Sequence, residues 1–197
     1  MIFIVGPHGA GKTKAAHIIA KYGLASIDLG PTLRKIHRDT ASKLSFEEWV
    51  TQGEGEYGVN FTDALLVREI AALQGGLLHD GYQGDLLILG SRSYPGIEYI
   101  CAHTAPMNGF PCRILFIEAS IEVMRTRFNA REGKGLSVEK FQKYIQRPSQ
   151  QGIAGIRPYA HPLWNDGTEQ QLELALLEYL RESTHVLPFN EKKFITV

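Results

Sequence analysis

Gly6-Pro7-His8-Gly9-Ala10-Gly11-Lys12-Thr13 is the stretch on which the reading of this chain turns. It meets G-x-x-x-x-G-K-[ST] at every fixed position. Ile2-Phe3-Ile4-Val5 precedes it, a short apolar run of the kind buried on both faces of a parallel sheet. Residues 12–22 follow as a helix, with Ala15, Ala16, Ile18, Ile19 and Tyr22 on its apolar side. The glycines let the backbone turn tightly, so that successive N–H groups face inward and cradle phosphate oxygens. The helix start adds partial positive charge. This pattern points Lys12 at the β- and γ-phosphates of a nucleoside triphosphate and Thr13 Oγ at Mg²⁺. Gly6, Pro7, His8, Gly9, Ala10, Gly11, Lys12, Thr13 and Lys14 are therefore the candidate cofactor contacts. His8 occupies a variable position; its side chain is expected to face solvent or a neighbouring strand and is given no chemistry. A chance glycine-rich turn is the alternative, and the flanking strand and helix count against it.

Working outward, Ala25–Leu29, Asp85–Gly90 and Arg113–Ile117 read as further short strands, and Ala160–Trp164 as a fifth, weakened by Pro162. Helices are expected over 32–80 with a break at Gly53–Gly58, over 94–104, from Ile121 to Arg131, over 137–157 and over 168–182. The last carries Leu172, Ala175, Leu176 and Tyr179 at helical spacing. Residues 194–197 are a candidate edge strand. Strands alternating with helices predict a three-layer α/β/α sandwich around a five-stranded parallel sheet. Ligands of such folds sit at the carboxyl ends of the strands.

Lysine plus arginine and aspartate plus glutamate number 21 each among 197 residues. A balanced charge counts against a nucleic-acid partner, which usually calls for a basic excess. No apolar run reaches the length needed to cross a bilayer, and no signal-peptide pattern opens the chain. A cytoplasmic location is the expectation, with Cys101 and Cys112 as free thiols.

A phosphate loop specifies a nucleotide, not a reaction. The order of the remaining motifs resembles the P-loop nucleoside monophosphate kinase superfamily, in particular its adenylate kinase-related and dephospho-CoA kinase-like branches. The likeness covers about residues 2–182. Ile27-Asp28-Leu29-Gly30-Pro31-Thr32-Leu33-Arg34 is similar to I-S-x-G-D-x-L-R, whose arginine holds the acceptor phosphate; this implies that role for Arg34. Asp28 is implied as general base or metal orienter, or is a helix N-cap. Glu56-Tyr57-Gly58 resembles the stretch that covers the acceptor, where Tyr57 would stack on it or simply pack. Leu89-Gly90-Ser91-Arg92-Ser93 is similar to D-G-I-R-S, placing Arg92 on the acceptor phosphate. The chain departs from the family at Pro31 and Leu89, where the family carries aspartate. Arg127 and Arg131 share a helix face and resemble the pair that clamps adenine and phosphates, with Arg147 as a further phosphate-seeking arginine. Asn165-Asp166-Gly167-Thr168 is similar to the N-D-G-T turn whose backbone meets adenine; it is equally a strand-to-helix turn capped by Asp166 or Thr168.

The resemblance implies a single P-loop kinase-like domain over 1–197. Its acceptor-binding helical segment would be about 32–80, its lid about 125–150 around the Gly133-Lys134-Gly135 break, and its tail 184–197. It implies ATP and Mg²⁺, with Lys12, Asp28, Arg127 and Arg131 catalytic and Asp28, Arg34, Tyr57, Arg92 and Arg147 on the acceptor. The implied acceptor is a small phosphorylated molecule, a (deoxy)nucleoside monophosphate first. Rival readings are a regulatory nucleotide-binding module with degraded kinase chemistry, and a kinase of dephospho-CoA, a polynucleotide or a modified base.

Overall fold

The computed structural model describes residues 1–104, 112–133, 135–146 and 152–183. Five strands form one wholly parallel sheet: β1 (Ile2–Val5), β2 (Ser26–Asp28), β3 (Leu87–Leu89), β4 (Arg113–Glu118) and β5 (His161–Trp164), in the order β2-β3-β1-β4-β5. Side chains of a strand alternate between faces, and here each face meets its own core. Ile2, Ile4, Leu87, Leu89, Leu115 and Ile117 pack on one side with Ile18 and Leu176. Phe3, Val5, Ile88 and Phe116 pack on the other with Leu66, Ile70, Ile97 and Ile100. This is the sandwich predicted from the apolar runs. Pro162, which has no N–H to give, lies in β5 at the sheet edge.

Helices α1 (Lys12–Ala20), α2 (Leu29–Asp39), α3 (Phe46–Tyr57), α4 (Phe61–His79), α5 (Tyr94–His103), α6 (Ile121–Glu132), α7 (Val138–Ile145) and α8 (Glu169–Ser183) cover the sheet and its carboxyl rim. Two expectations move. The break foreseen at Gly53–Gly58 falls later, because α3 runs unbroken through Gly53 and Gly55 to Tyr57. A Cβ at Gly53 would run into the Phe61 ring, so this glycine serves close helix packing rather than a turn. Ser45 and Glu48 close a capping box at the start of α3. The helix expected over 137–157 is shorter: α7 ends at Ile145, and Arg157–Tyr159 is a 3₁₀ turn.

Cys101 at the end of α5 and Cys112 before β4 are joined as a disulfide, which corrects the expectation of free thiols. Their spacing of 11 residues resembles no metal or redox motif, so only the folded return from α5 to β4 brings them together. Near the amino ends of the strands, Asp85 is buried and takes the Met1 ammonium at 3.0 Å and the Arg113 guanidinium. Among the described residues no helix is long and apolar enough to cross a membrane. Arg147 and residues 184–197, with their candidate edge strand, lie outside the described residues.

Candidate active site

The loop after β1 is braced from three directions. Gly11 is the N-cap of α1 at φ 105°, a left-handed conformation that glycine adopts without steric cost. A Cβ there would collide with Asn165 Nδ2. Asn165, only 4% exposed, donates that amide to the Ala10 carbonyl at 2.7 Å. Its own backbone N–H donates to Glu118 O, and its carbonyl accepts Arg127 Nη1 at 2.8 Å. The start of α1 has no side-chain cap and no acidic residue in its first turn. Its leading N–H groups and partial positive charge are thus left for an anion.

Lys12 curls back over this loop, donating Nζ to Gly6 O at 2.7 Å and Pro7 O at 2.9 Å. Its pKa is lowered to about 8. Burial is the main cause; Arg131 adds to it, Asp28 partly offsets it, and Arg92 adds again. Residues from four separate segments therefore share one electrostatic neighbourhood. Arg131, from the last turn of α6, also donates Nε to Glu132 and stacks 5.7 Å from the Phe128 ring centroid. Thr13 follows Lys12 in the first turn with its side chain accessible.

His8 departs from its expected outward pose. Its ring packs 5.7 Å from Tyr144 and 6.4 Å from Phe128, so the loop touches the hairpin of α6 and α7 through an aromatic cluster. Its pKa falls to about 4, chiefly through burial and then through Lys12, Arg131 and Arg92, with Glu132 opposing. The hairpin is itself tied: Asn129 exchanges two hydrogen bonds with the Leu136 backbone.

Lys14 turns away from the loop onto Glu169 at 2.7 Å. At the end of β5, Asp166 accepts from Ser120 N at 2.6 Å, in front of α6 rather than α8. Thr168 opens α8 instead, sharing reciprocal hydrogen bonds with Gln171, against which Gly167 also packs. Asp28 is the N-cap of α2, accepting from Gly30 N at 3.1 Å. It also pairs in register with Leu89 across the sheet, and its Oδ1 leans towards Gly90.

Beside the loop lies a cavity of about 330 Å³ between α2, α3, α4 and the turn after β3. Arg34 and Arg92 line it, and among its other polar side chains are Glu54, Asp63 and Ser91, to which sequence reasoning gave no role. Leu33, Phe46 and Leu66 give it apolar walls. Ser91 Oγ is buried with no hydrogen-bond partner. Asp63 stands near Gly96 of α5, and its pKa is raised by burial first and Glu54 second. Ser91 had one signal available, its place next to Arg92. Glu54 and Asp63 had none, since each reads as an ordinary helix charge. Tyr57 is not in this cavity: it is 68% exposed and stacks on Phe61 at 5.6 Å.

No family model matches the chain, and no curated protein matches it. Solved structures do. A sugar kinase from a Janibacter species superposes with a TM-score of 0.56 at 17% identity, over 91% of this chain and 93% of that one. A gluconokinase from Sinorhizobium meliloti gives 0.53 at 13%, over 92% and 91%. A shikimate kinase from Acinetobacter baumannii, in complex with shikimate, gives 0.52 at 18%, over 94% of each chain. The fold is that of the P-loop kinases. At such identities the likeness is one of fold, and it does not single out the nucleoside monophosphate branch of P-loop kinases.

Proposed function

We propose that this chain transfers the γ-phosphoryl group of ATP, with Mg²⁺, to a small phosphorylated acceptor, a (deoxy)nucleoside monophosphate first. The observation that carries the reading is the placement of Arg34 and Arg92. Both line the cavity, and neither makes an ion pair among the described residues. Both also lie towards the phosphate loop: Arg34 Nη2 is 3.4 Å from where a Gly30 Cβ would stand, beside Asp28, and the charge of Arg92 acts on Lys12. Unpaired cations at the reacting end call for an acceptor group that is itself an anion.

The residues suit a magnesium nucleotide. The uncapped start of α1 and the Lys12 ammonium, now spent on two loop carbonyls, offer donors to phosphate. No cluster of three His, Cys, Asp or Glu side chains that could hold a metal exists among the described residues. Thr13 Oγ, with Asp28 nearby, would therefore hold an ion that keeps most of its ligands as water and phosphate, as Mg²⁺ does. Bound there, the ion would neutralise phosphate charge. In the transfer, an oxygen of the acceptor phosphate attacks the γ-phosphorus, the bond to the β–γ bridging oxygen breaks, and ADP leaves. A phosphate oxygen needs no base to activate it. Lys12, Arg127 and Arg131 supply positive charge around the moving group. The α6–α7 hairpin acts as a lid with Gly133, in the left-handed region at φ 63°, as its hinge. Closure would keep out water, the competing acceptor.

A second reading follows from the structural neighbours, named for sugar, gluconate and shikimate. Such acceptors react through a hydroxyl, which does need a base, and Asp28 at the carboxyl end of β2 would be that base. A coupled ADP-release assay with nucleoside monophosphates, dephospho-CoA, gluconate and shikimate separates the two. Arg34→Ala and Arg92→Ala should each raise the acceptor KM about 10- to 100-fold, the worth of a charged hydrogen bond, with the ATP KM held. Tight ATP binding with no phosphorylated product from any acceptor would instead favour a regulatory module.

A further inference from the structure

We propose that His8 is a positioning residue that couples the phosphate loop to the α6–α7 hairpin, so that phosphate in the loop tightens the hairpin through the His8 ring. This rests on the reading of the loop as a nucleotide site and of the hairpin as its lid. Loop and hairpin meet at Gly9 and His8. A Cβ at Gly9 would run into the Met124 backbone oxygen of α6, so the two backbones touch there. His8 reaches further, to Phe128 of α6 at 6.4 Å and to Tyr144 of α7 at 5.7 Å. Those two rings lie 4.8 Å apart, and the fully buried Phe141 of α7 lies 5.4 Å from Phe128. A ring from the loop thereby joins the aromatic set that holds α7 on α6. Neither His8 nitrogen has a hydrogen-bond partner among the described residues, so the contact is made by the body of the ring.

The contact needs an uncharged ring. Burial keeps His8 neutral, helped by the Lys12, Arg131 and Arg92 cations and opposed by Glu132. An imidazolium would confront Arg131, which itself lies 5.7 Å from the Phe128 centroid. The link to phosphate is Lys12. Its ammonium holds Pro7 O at 2.9 Å, and that carbonyl belongs to the peptide unit that carries the His8 N–H. Ala10 N donates to the same oxygen at a longer 3.3 Å. When phosphate draws Lys12 away, the His8 peptide loses its shorter restraint. Phosphate also attracts Arg131, which rides on the hairpin. The freed peptide lets His8 follow, with its ring still on Tyr144. A ligand moves an element only through contacts that differ between its two stances. A loop lacking the ring would bind phosphate without passing the change to α7.

Amide hydrogen exchange of the full chain reads this coupling, because it reports local opening. The probe is AMP-PNP with Mg²⁺, and calorimetry shows that it binds. In the wild type the probe should slow exchange over Val138–Ile145 by about tenfold, the upper worth of one aromatic pair. His8→Asn keeps a polar group and loses the ring; it should cut this gain to about twofold or less while the probe still binds. His8→Phe keeps the ring and should restore the gain. Tyr144→Ala, made on the hairpin, should match His8→Asn, and the double variant should lose no more than either single one, as residues sharing a contact do. No gain in the wild type, an unchanged gain in His8→Asn, a gain that His8→Phe fails to restore, or additive losses each overturn the proposal. Should His8→Asn fail to fold, Tyr144→Ala decides by itself, and an unchanged gain there overturns it. Coupling without transfer to any acceptor leaves the proposal standing and removes the kinase reading; transfer without coupling does the reverse. A chain that binds no AMP-PNP overturns both.

Discussion

The phosphate loop and the acceptor cavity lie side by side but are built by opposite means. In the loop the side chains are already engaged, while the leading N–H groups of α1 stay open: Asn165 holds Ala10, Arg127 holds Asn165, and Lys12 holds Gly6 and Pro7. The shape is set by the backbone and by glycines that let neighbouring groups approach. In the cavity the polar groups project from three helices and a turn, and Arg34, Arg92, Asp63, Glu54 and Ser91 Oγ have no hydrogen-bond or ion-pair partner of their own among the described residues. Buried polar groups ordinarily find partners within the protein. Of this set Ser91 Oγ and the half-buried Asp63 carboxylate are held away from water, and these two cost the free protein stability. The loop should therefore lose function or fold when altered, whereas the cavity should lose selectivity and can gain stability.

The largest effect should come from Lys12→Ala. The variant loses the Lys12 ammonium over the loop, and kcat should drop by about 10³-fold, the scale of removing a transition-state charge donor. Nucleotide should also cease to raise the melting temperature, because that rise reflects binding to the folded state. Full turnover in the variant would end the mechanism proposed here. Asn165→Ala comes next. It leaves the buried Ala10 carbonyl without its donor and opens space beside Gly11. Denaturant unfolding should show a loss of about 1–3 kcal/mol, with a raised KM for ATP. An unchanged midpoint would mean that the loop holds its shape unaided.

The same contrast explains what the sequence made legible. The loop is contiguous, and its glycine spacing follows from backbone geometry that any chain must obey, so Gly6–Thr13 could be read directly. The strands were legible because burial on both faces demands uninterrupted apolar runs such as Ile2–Val5 and Leu87–Leu89. The cavity is assembled by tertiary packing from residues as far apart as Glu54 and Arg92. The arginines were visible only through the resemblance, and the carboxylates not at all. His8 was misplaced for the same reason: its partners Phe128 and Tyr144 lie more than a hundred residues away. Gly53 read as a breaker because a glycine looks the same whether it ends a helix or admits a neighbouring ring.

Asp63→Asn sharpens the comparison through pH. Burial and Glu54 raise the folded pKa of Asp63 above its unfolded value. The folded state thus binds the proton more tightly, and the carboxyl contributes stability only when protonated; that contribution is lost as pH rises through the folded pKa. At neutral pH the charged group burdens the fold, and asparagine removes the burden. The variant should melt about 2 °C higher at pH 7, the scale of a sub-kilocalorie change in a chain of this size. The gain should shrink as pH falls towards the unfolded carboxyl range. A variant that melts lower than wild type at pH 7 would make Asp63 structural rather than reserved for a ligand.

Tyr57 marks the outer limit of the cavity and should give the smallest effect. It stacks on Phe61 at the surface, 68% exposed, outside the ring of lining residues. Phe61 also meets Trp49 edge-to-face at 5.1 Å, so losing the outer ring leaves that contact in place. Tyr57→Ala should therefore change stability by about 0.5 kcal/mol or less, as surface substitutions do, and leave the acceptor KM within about twofold. A large rise in that KM with unchanged stability would mean that α3 swings its last turn inward on binding. The cavity would then close over the acceptor as the loop never needs to, and the divide between a finished nucleotide site and an unfinished acceptor site would be wider than the free structure displays.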